Sequence, residues 1–504
     1  MKSLILILFF FNPTNSSAQD LFNKENHNNI NKDNIVAEVD TIKITAEEFY
    51  YNYEFGPAFP KRKSNSKETH LKYLINEKLL ALEGYDKKII EQDYPKGVFD
   101  DIHSDLASEE LFRQEILPKV KINENEIEKV INKKLIEYDI RWLYSENQMS
   151  IEYYLKELNS SIPFDSLFYA QINDSIFVDD RQMKSSLYNI YVKNPAFAQI
   201  LDTLKARSIS SPIKTDDGWY IIKIDNSWEN LIPNETEQQK LRYESIEALN
   251  KSKMAILSDQ YVNGLFADEN PIIKRDAFNI LRSYLGKIVL TPENYSEWEL
   301  DKKLDIALSN LGLKRNDKYS GISLVVGNDN NFSLDDFIIW YRNRDQYIKF
   351  VKDNLVDFSK SLENFVWLMV RDKLLSKTAF EKGYDKTNWV KKQSAWWKDK
   401  IVYSAYRNQL ANSVTLNSEE TILIKANGKS QSEILSDKLS EKILHKILEL
   451  KQKYKVIINK DVLDKIQVSS ENDKKAIDMY FVKRGNLIPR LLYPSIDNDW
   501  ASWE

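Results

Sequence analysis

Side chains suited to acid–base, nucleophilic or metal chemistry are few in this 504-residue chain, and they stand far apart. There are four histidines, His27, His70, His103 and His445, and no cysteine. That leaves no metal-ligand spacing, no thiol nucleophile, no disulfide and no thiolate metal site. A glycine-rich phosphate loop and a G-x-S-x-G nucleophile elbow are also missing. The pairs Asp179-Asp180 and Asp216-Asp217 read as solvated turns rather than acid–base dyads, the second lying just before an apolar strand. No cofactor is expected from such an inventory. What is abundant is aromatic, 12% of the chain with 27 tyrosines and 11 tryptophans. Aromatics in that number suit surfaces that hold unfolded chains, or a large aromatic core. The run Trp389 to Lys400, with Trp396 and Trp397, is open to the same two readings, a binding face or a helix packed on its neighbour.

Charge and hydropathy narrow the class. The 71 basic and 76 acidic residues leave a net charge of -5 with no basic block, so nucleic acid is not an expected partner. Met1-Lys2-Ser3, the apolar run Leu4 to Phe11 and the small residues up to Ala18 have the pattern of a secretory signal peptide over 1–18, too short to span a membrane, with cleavage near Ala18. No later apolar run reaches transmembrane length. An exported protein without stable membrane insertion is expected, periplasmic in a Gram-negative cell. Residues 19–35, rich in Asn and Lys, are expected to be a disordered linker.

The elements between Asp139 and Asp225 have a recognisable order. A short apolar run, Ile140 to Tyr144, is followed by a helical pattern (Ile151, Tyr154, Leu155, Leu158). Pro163 to Leu167 and then Asn194-Pro195-Ala196-Phe197 open further helices. The stretch closes on Ser211-Pro212-Ile213-Lys214-Thr215-Asp216-Asp217-Gly218-Trp219-Tyr220-Ile221-Ile222-Lys223-Ile224, a turn and a strand rich in β-branched and aromatic residues. Strand, helices, strand predicts a small α+β domain over 139–228. It resembles the parvulin (rotamase, PpiC-type) peptidyl-prolyl isomerases, whose closing pattern I-S-x-P-(I/V)-K-T-x-x-G-(Y/W)-H-I-I-K-(V/I) is matched from Ile209 to Ile224 at all but a few positions. Asn194 to Phe197 is similar to the family's V-P-E-F.

The resemblance implies a proline pocket and also shows what is altered in it. The family's two histidines align with Trp142 and Tyr220, an ungapped count back from Pro195 puts Lys184 at the acidic position and Lys193 at a pocket Met, and only Phe197 keeps a pocket aromatic. Phe197, Trp142 and Tyr220 are therefore the candidate substrate-binding residues, or else ordinary core aromatics of a small sheet. No catalytic residue is assigned. Prolyl isomerisation lowers a rotational barrier of roughly 20 kcal/mol without breaking a covalent bond, so an apolar pocket supplies part of the effect and a hydrogen-bond network the rest.

The flanking sequence predicts helices. Val36 to Ile44 alternates like a hairpin, Thr45-Ala46-Glu47-Glu48 reads as a capping box, and Leu71 to Leu82 carries a helical stripe. These residues, with Leu74-Ile75-Asn76-Glu77-Lys78-Leu79-Leu80, resemble the N-terminal domain of SurA-like chaperones, implying a helical chaperone domain over 36–138. Gln238 to Phe266 reads as one long helix, and the resemblance implies that 229–285 returns to the N-terminal domain, making Val36 to about Leu285 one unit. Residues 286–415 repeat the pattern: Ser333, Asp336, Phe337 and Tyr341 stand at the spacing of Thr45, Glu48, Phe49 and Tyr53, and Val370 to Leu375 echoes Ile75 to Leu80. Helix, strand and tail are expected over 416–504. The fold class expected is α+β, a mostly helical SurA-like body with an inserted parvulin-like domain and a second repeat. The resemblance implies a periplasmic folding factor acting mainly as a chaperone on unfolded exported or outer-membrane proteins. An active isomerase and a dedicated partner of one secretion machine are the alternatives.

Overall fold

The computed structural model describes residue 26 and residues 30–503, apart from 233, 320, 346–347, 417–429 and 470–492. The signal-peptide reading of 1–18 lies outside the described residues. Of the expected disordered linker 19–35, residues 26 and 30–35 are described, and they are ordered: the buried Asn26 donates to the Gln467 carbonyl at 3.2 Å and accepts from the Gln467 N–H at 2.7 Å, and Ile35 already opens the first strand. The chain is a mostly helical α+β protein, with 63% of the described residues helical and small antiparallel sheets. It divides into two compact units, one of residues 120–253 and one of the sequence on either side.

In the flanking unit, β1 (Ile35–Val39) and β2 (Ile42–Thr45) form a hairpin through Asp40, whose φ of 52° a short polar side chain tolerates. Helix α1 (Ala46–Glu54) follows, capped by Thr45, whose hydroxyl accepts from the Glu48 N–H at 3.1 Å. The reciprocal half of the expected capping box is absent, because the Glu48 carboxylate is turned inward onto Lys78 at 2.5 Å. Helices α2 (Ser66–Asp86) and α3 (Asp93–Glu115) complete this part.

The 120–253 unit has α4 (Glu124–Leu135), β3 (Ile136–Ser145), α5 (Gln148–Asn159), α6 (Phe164–Ala170), β4 (Gln182–Ser186), α7 (Leu187–Lys193), α8 (Pro195–Leu201), β5 (Ile213–Lys214) and β6 (Trp219–Glu229). Its antiparallel sheet has the order β4-β3-β6-β5. Alternation along the long strands gives each face a core: Ile140, Trp142, Tyr220 and Ile222 meet α7 and α8, while Leu143 and Ile221 meet Ile151, Phe164 and Phe168 of α5 and α6. The first half of α9 (Glu235–Glu269) closes the unit, with Lys253 on Glu126 at 2.6 Å.

The second half of α9 enters the flanking unit, where Tyr261 and Val262 pack against Ala107 and Leu111 of α3. The chain then diverges from the expected return to the N-terminal domain. β7 (Ile272–Ile273) pairs with β8 (Ser323–Val326) of the second hairpin, completed by β9 (Asn331–Ser333). Helices α10 (Arg275–Val289) and α11 (Leu300–Asn310) share a core with α12 (Leu334–Arg342) and α13 (Leu355–Glu381). Residues 272–285 thus belong to the second repeat. The exchange is reciprocal: after α14 (Asn388–Asn412) and α15 (Gln431–Lys453), β10 (Val456–Ile458) pairs with β1, Val456 opposite Val39. Each repeat's sheet is completed by a strand that follows the other repeat's helices. Trp396 and Trp397 face two cores, which favours packing over a binding face for that run.

Candidate functional site

Register brings the three candidate aromatics together. Trp142 lies opposite Ile222 and Tyr144 opposite Tyr220, so Trp142 and Tyr220 are diagonal neighbours on one face of the sheet. Phe197 arrives from α8, which begins at Pro195 with Asn194 Oδ1 accepting from the Phe197 N–H at 3.2 Å. Its ring centroid lies 4.9 Å from Tyr220 and 6.1 Å from Trp142, both edge to face. The three belong to the core and also line a cleft of about 200 Å³, together with Asp180, Arg181, Met183, Ile190, Lys193 and Asn194. That volume, several times the ~30 Å³ share of one water, admits a small apolar side chain.

The polar rim is organised by a turn. The Tyr220 hydroxyl donates to Asp217 Oδ2 at 2.5 Å, and Thr215 Oγ1 donates to Oδ1 at 2.5 Å. Those bonds hold the Asp217 carboxyl below its ordinary range, while burial, aided by the Asp217 charge, pushes the Tyr220 phenol up. Tyr144 donates its hydroxyl to the Asp217 carbonyl at 2.7 Å. Only glycine fits at 218, where a Cβ would meet Tyr144 Cε2 at 2.6 Å and the Ser145 carbonyl at 2.8 Å. Arg181 stacks 4.8 Å over the Tyr144 ring, and its buried Nε has no hydrogen-bond partner among the described residues.

This arrangement can desolvate a small apolar group against three aromatic side chains. The four histidines all lie outside residues 120–253. The Tyr220 phenol is committed to Asp217.

The ungapped count is corrected at one position. Lys184 does not line the cleft; its Nζ sits 5.0 Å over the Trp228 ring, and its neighbour Met183 faces the cleft instead. Lys193 does line it. Sequence reasoning missed Arg181 and Met183, which have no motif, and it took Asp180 and Asp217 as solvated turn residues. Asp217 is exposed, yet it anchors Tyr220; its signal was its place three residues before that tyrosine. Among the described residues no group of His, Cys, Asp and Glu forms a metal site, and no helix is long and apolar enough to cross a membrane.

No protein-family model matches the chain, and no curated protein matches it either. Among solved structures it is similar to a peptidylprolyl isomerase (PrsA) from Bacillus anthracis, at 14% identity over 41% of this chain and 71% of that one, with a TM-score of 0.21. It is similar to PrsA from Bacillus subtilis at 15% identity over 45% and 93% of the two chains, with a TM-score of 0.16. For a foldase protein PrsA from Streptococcus pneumoniae the figures are 11% identity, 55% and 93%, and a TM-score of 0.23. Likeness of this degree leaves the chemistry of the site to its own geometry.

Proposed function

We propose that the chain is a folding factor of the parvulin type that acts mainly by binding extended, proline-containing segments of unfolded polypeptides, with weak isomerase activity at most. The observation that carries this is the aromatic cleft of Trp142, Phe197 and Tyr220, whose one phenol is tied to Asp217. Such a cleft binds by burying apolar surface, with modest affinity per segment because the client loses conformational freedom on binding. In this reading the clients are exported or outer-membrane proteins and the chain works in the periplasm.

The test pairs two assays on the protein and its Phe197→Ala variant. Stoichiometric protein is expected to suppress aggregation of an unfolded client, and the variant to do so several-fold less well. Proline-limited refolding of a model substrate is expected to accelerate by no more than a few-fold. Strong acceleration that vanishes in the variant would make the chain an enzyme despite its missing histidines. Absence of suppression would remove the chaperone reading.

A further inference from the structure

The segment 493–503 lies in a groove of the first repeat in the manner of a bound peptide. Tyr493 stacks on Tyr51 at 4.1 Å, and Trp500 stacks on Tyr73 at 5.5 Å. Tyr493, Ile496, Trp500 and Trp503 are all at most 3% exposed. The groove reads backbone as well as side chains. Asn52 Nδ2 donates to the Pro494 carbonyl at 3.0 Å, while its Oδ1 accepts from the Ile496 N–H at 3.3 Å. One amide thus holds a carbonyl and the N–H two residues on, a contact independent of sequence. His70 fixes that amide, its Nε2–H donating to Asn52 Oδ1 at 2.7 Å. Glu77 Oε1 accepts from the Asp497 N–H at 2.8 Å and the Trp500 indole at 3.0 Å. Lys400 pairs with Asp497 at 2.7 Å, and Arg407 with Asp499.

The second repeat shows how such a groove is closed from within. At the spacing of Asn52 after Thr45 stands Trp340 after Ser333. Its indole donates at 2.8 Å to Asp372, the counterpart of Glu77. In the second repeat the carboxylate takes an indole from its own first helix. In the first, Asn52 is too small to reach, and the indole comes from position 500, more than 400 residues along the sequence.

We propose that this groove is a peptide-binding site, that 493–503 is its resident ligand, and that aromatic and acidic segments of unfolded polypeptides able to adopt the 3-10 turn seen at Asn498–Ala501 displace it. The inference rests on the reading of the chain as a binder of unfolded polypeptides, and it adds a second site with an internal competitor. Asn52 and Glu77 supply backbone and indole contacts, and Lys400 and Arg407 select acidic residues beside the aromatics.

A fluorescent peptide of residues 493–503 is titrated into the full chain, its Trp500→Ala variant, and the Asn52→Ala/Trp500→Ala double variant. The peptide is expected to bind the Trp500→Ala protein at least tenfold more tightly than the unaltered chain, with that gain lost in the double variant. Equal or absent binding by a cooperatively folded Trp500→Ala protein overturns the proposal. Hydrogen exchange on the unaltered chain decides independently of that variant's folding. Amides of 493–503 exchanging at least tenfold faster than those of α2 support a displaceable ligand; exchange only with global unfolding makes the segment permanent core and overturns it. Client aggregation is followed separately, so peptide exchange without suppression counts against the proposed function alone, and suppression without peptide exchange counts against this inference alone.

Discussion

Thr45, Glu48 and Phe49 in the first repeat stand where Ser333, Asp336 and Phe337 stand in the second, yet the two carboxylates serve different structures. Asp336 stays at its helix start and completes a capping box, accepting from the Ser333 N–H at 2.8 Å. Lys373 lies 4.0 Å away, with both side chains 37% exposed. Glu48 has one more methylene and reaches Lys78 at 2.5 Å, where both side chains are about 5% exposed or less, and Lys78 also holds Asp399 at 2.7 Å. Burial alone would pull the Lys78 pKa down, but Asp399 and Glu48 together more than reverse it. Burial, with a smaller push from the Asp399 charge, raises the Glu48 carboxyl despite Lys78. The same four-residue pattern is a local cap in one repeat and a tertiary ion cluster in the other. The side chain's reach and the partner available set which.

The largest break in this comparison should come from Lys78→Met. It leaves Glu48 and Asp399 without their shared cation and should cost about 3–5 kcal/mol in urea unfolding, whereas Lys373→Met should cost under about 1 kcal/mol. Equal costs would mean that the burial difference has no energetic weight. Next in size is His70. Burial first, then the Lys61 charge, lowers its pKa from 6.5 to about 3, so folding keeps it neutral. Its contribution is complete above pH 6.5 and is lost as pH falls toward 3. Between pH 7.5 and 5 the unaltered protein should lose about 2 kcal/mol more stability than His70→Gln. Parallel pH curves for the two proteins would contradict this. Smallest is the cap itself: Ser333→Ala and Thr45→Ala should each cost about 1 kcal/mol. A cost near zero for Thr45→Ala would show that the ion cluster, rather than the cap, fixes the start of α1.

Much of the fold was legible wherever its cause was local. The hairpin over Val36 to Ile44, the helix starts at Thr45 and Ser333, and the sheet strands around Trp142 and Tyr220 follow from alternation, cap residues and turn chemistry. The convergence of Trp142, Phe197 and Tyr220 on one cleft was legible only through the family resemblance, since nothing in their spacing brings them together. Glu48 shows where local reading ended. Its spacing from Thr45 announces a capping box, and only the distant Lys78 overrides it. The place of Trp500, the Met183 wall of the cleft and the partner of β10 all depend on contacts between residues that no periodicity links.

The reciprocal strand exchange sets an order of events during folding. Ile272 and Val326 are separated by 54 positions and Ala37 and Ile458 by 421, the differences of their residue numbers. Closing the longer loop costs about 2 kcal/mol more in chain entropy, and it must wait until position 458 has been synthesised. In pulse-labelled hydrogen exchange, amides of β8 should therefore gain protection before those of β1; the reverse order would contradict this. The hairpin translated first is thus the one finished last. Until β10 arrives, β1 keeps a free edge, open to pairing with any neighbouring strand.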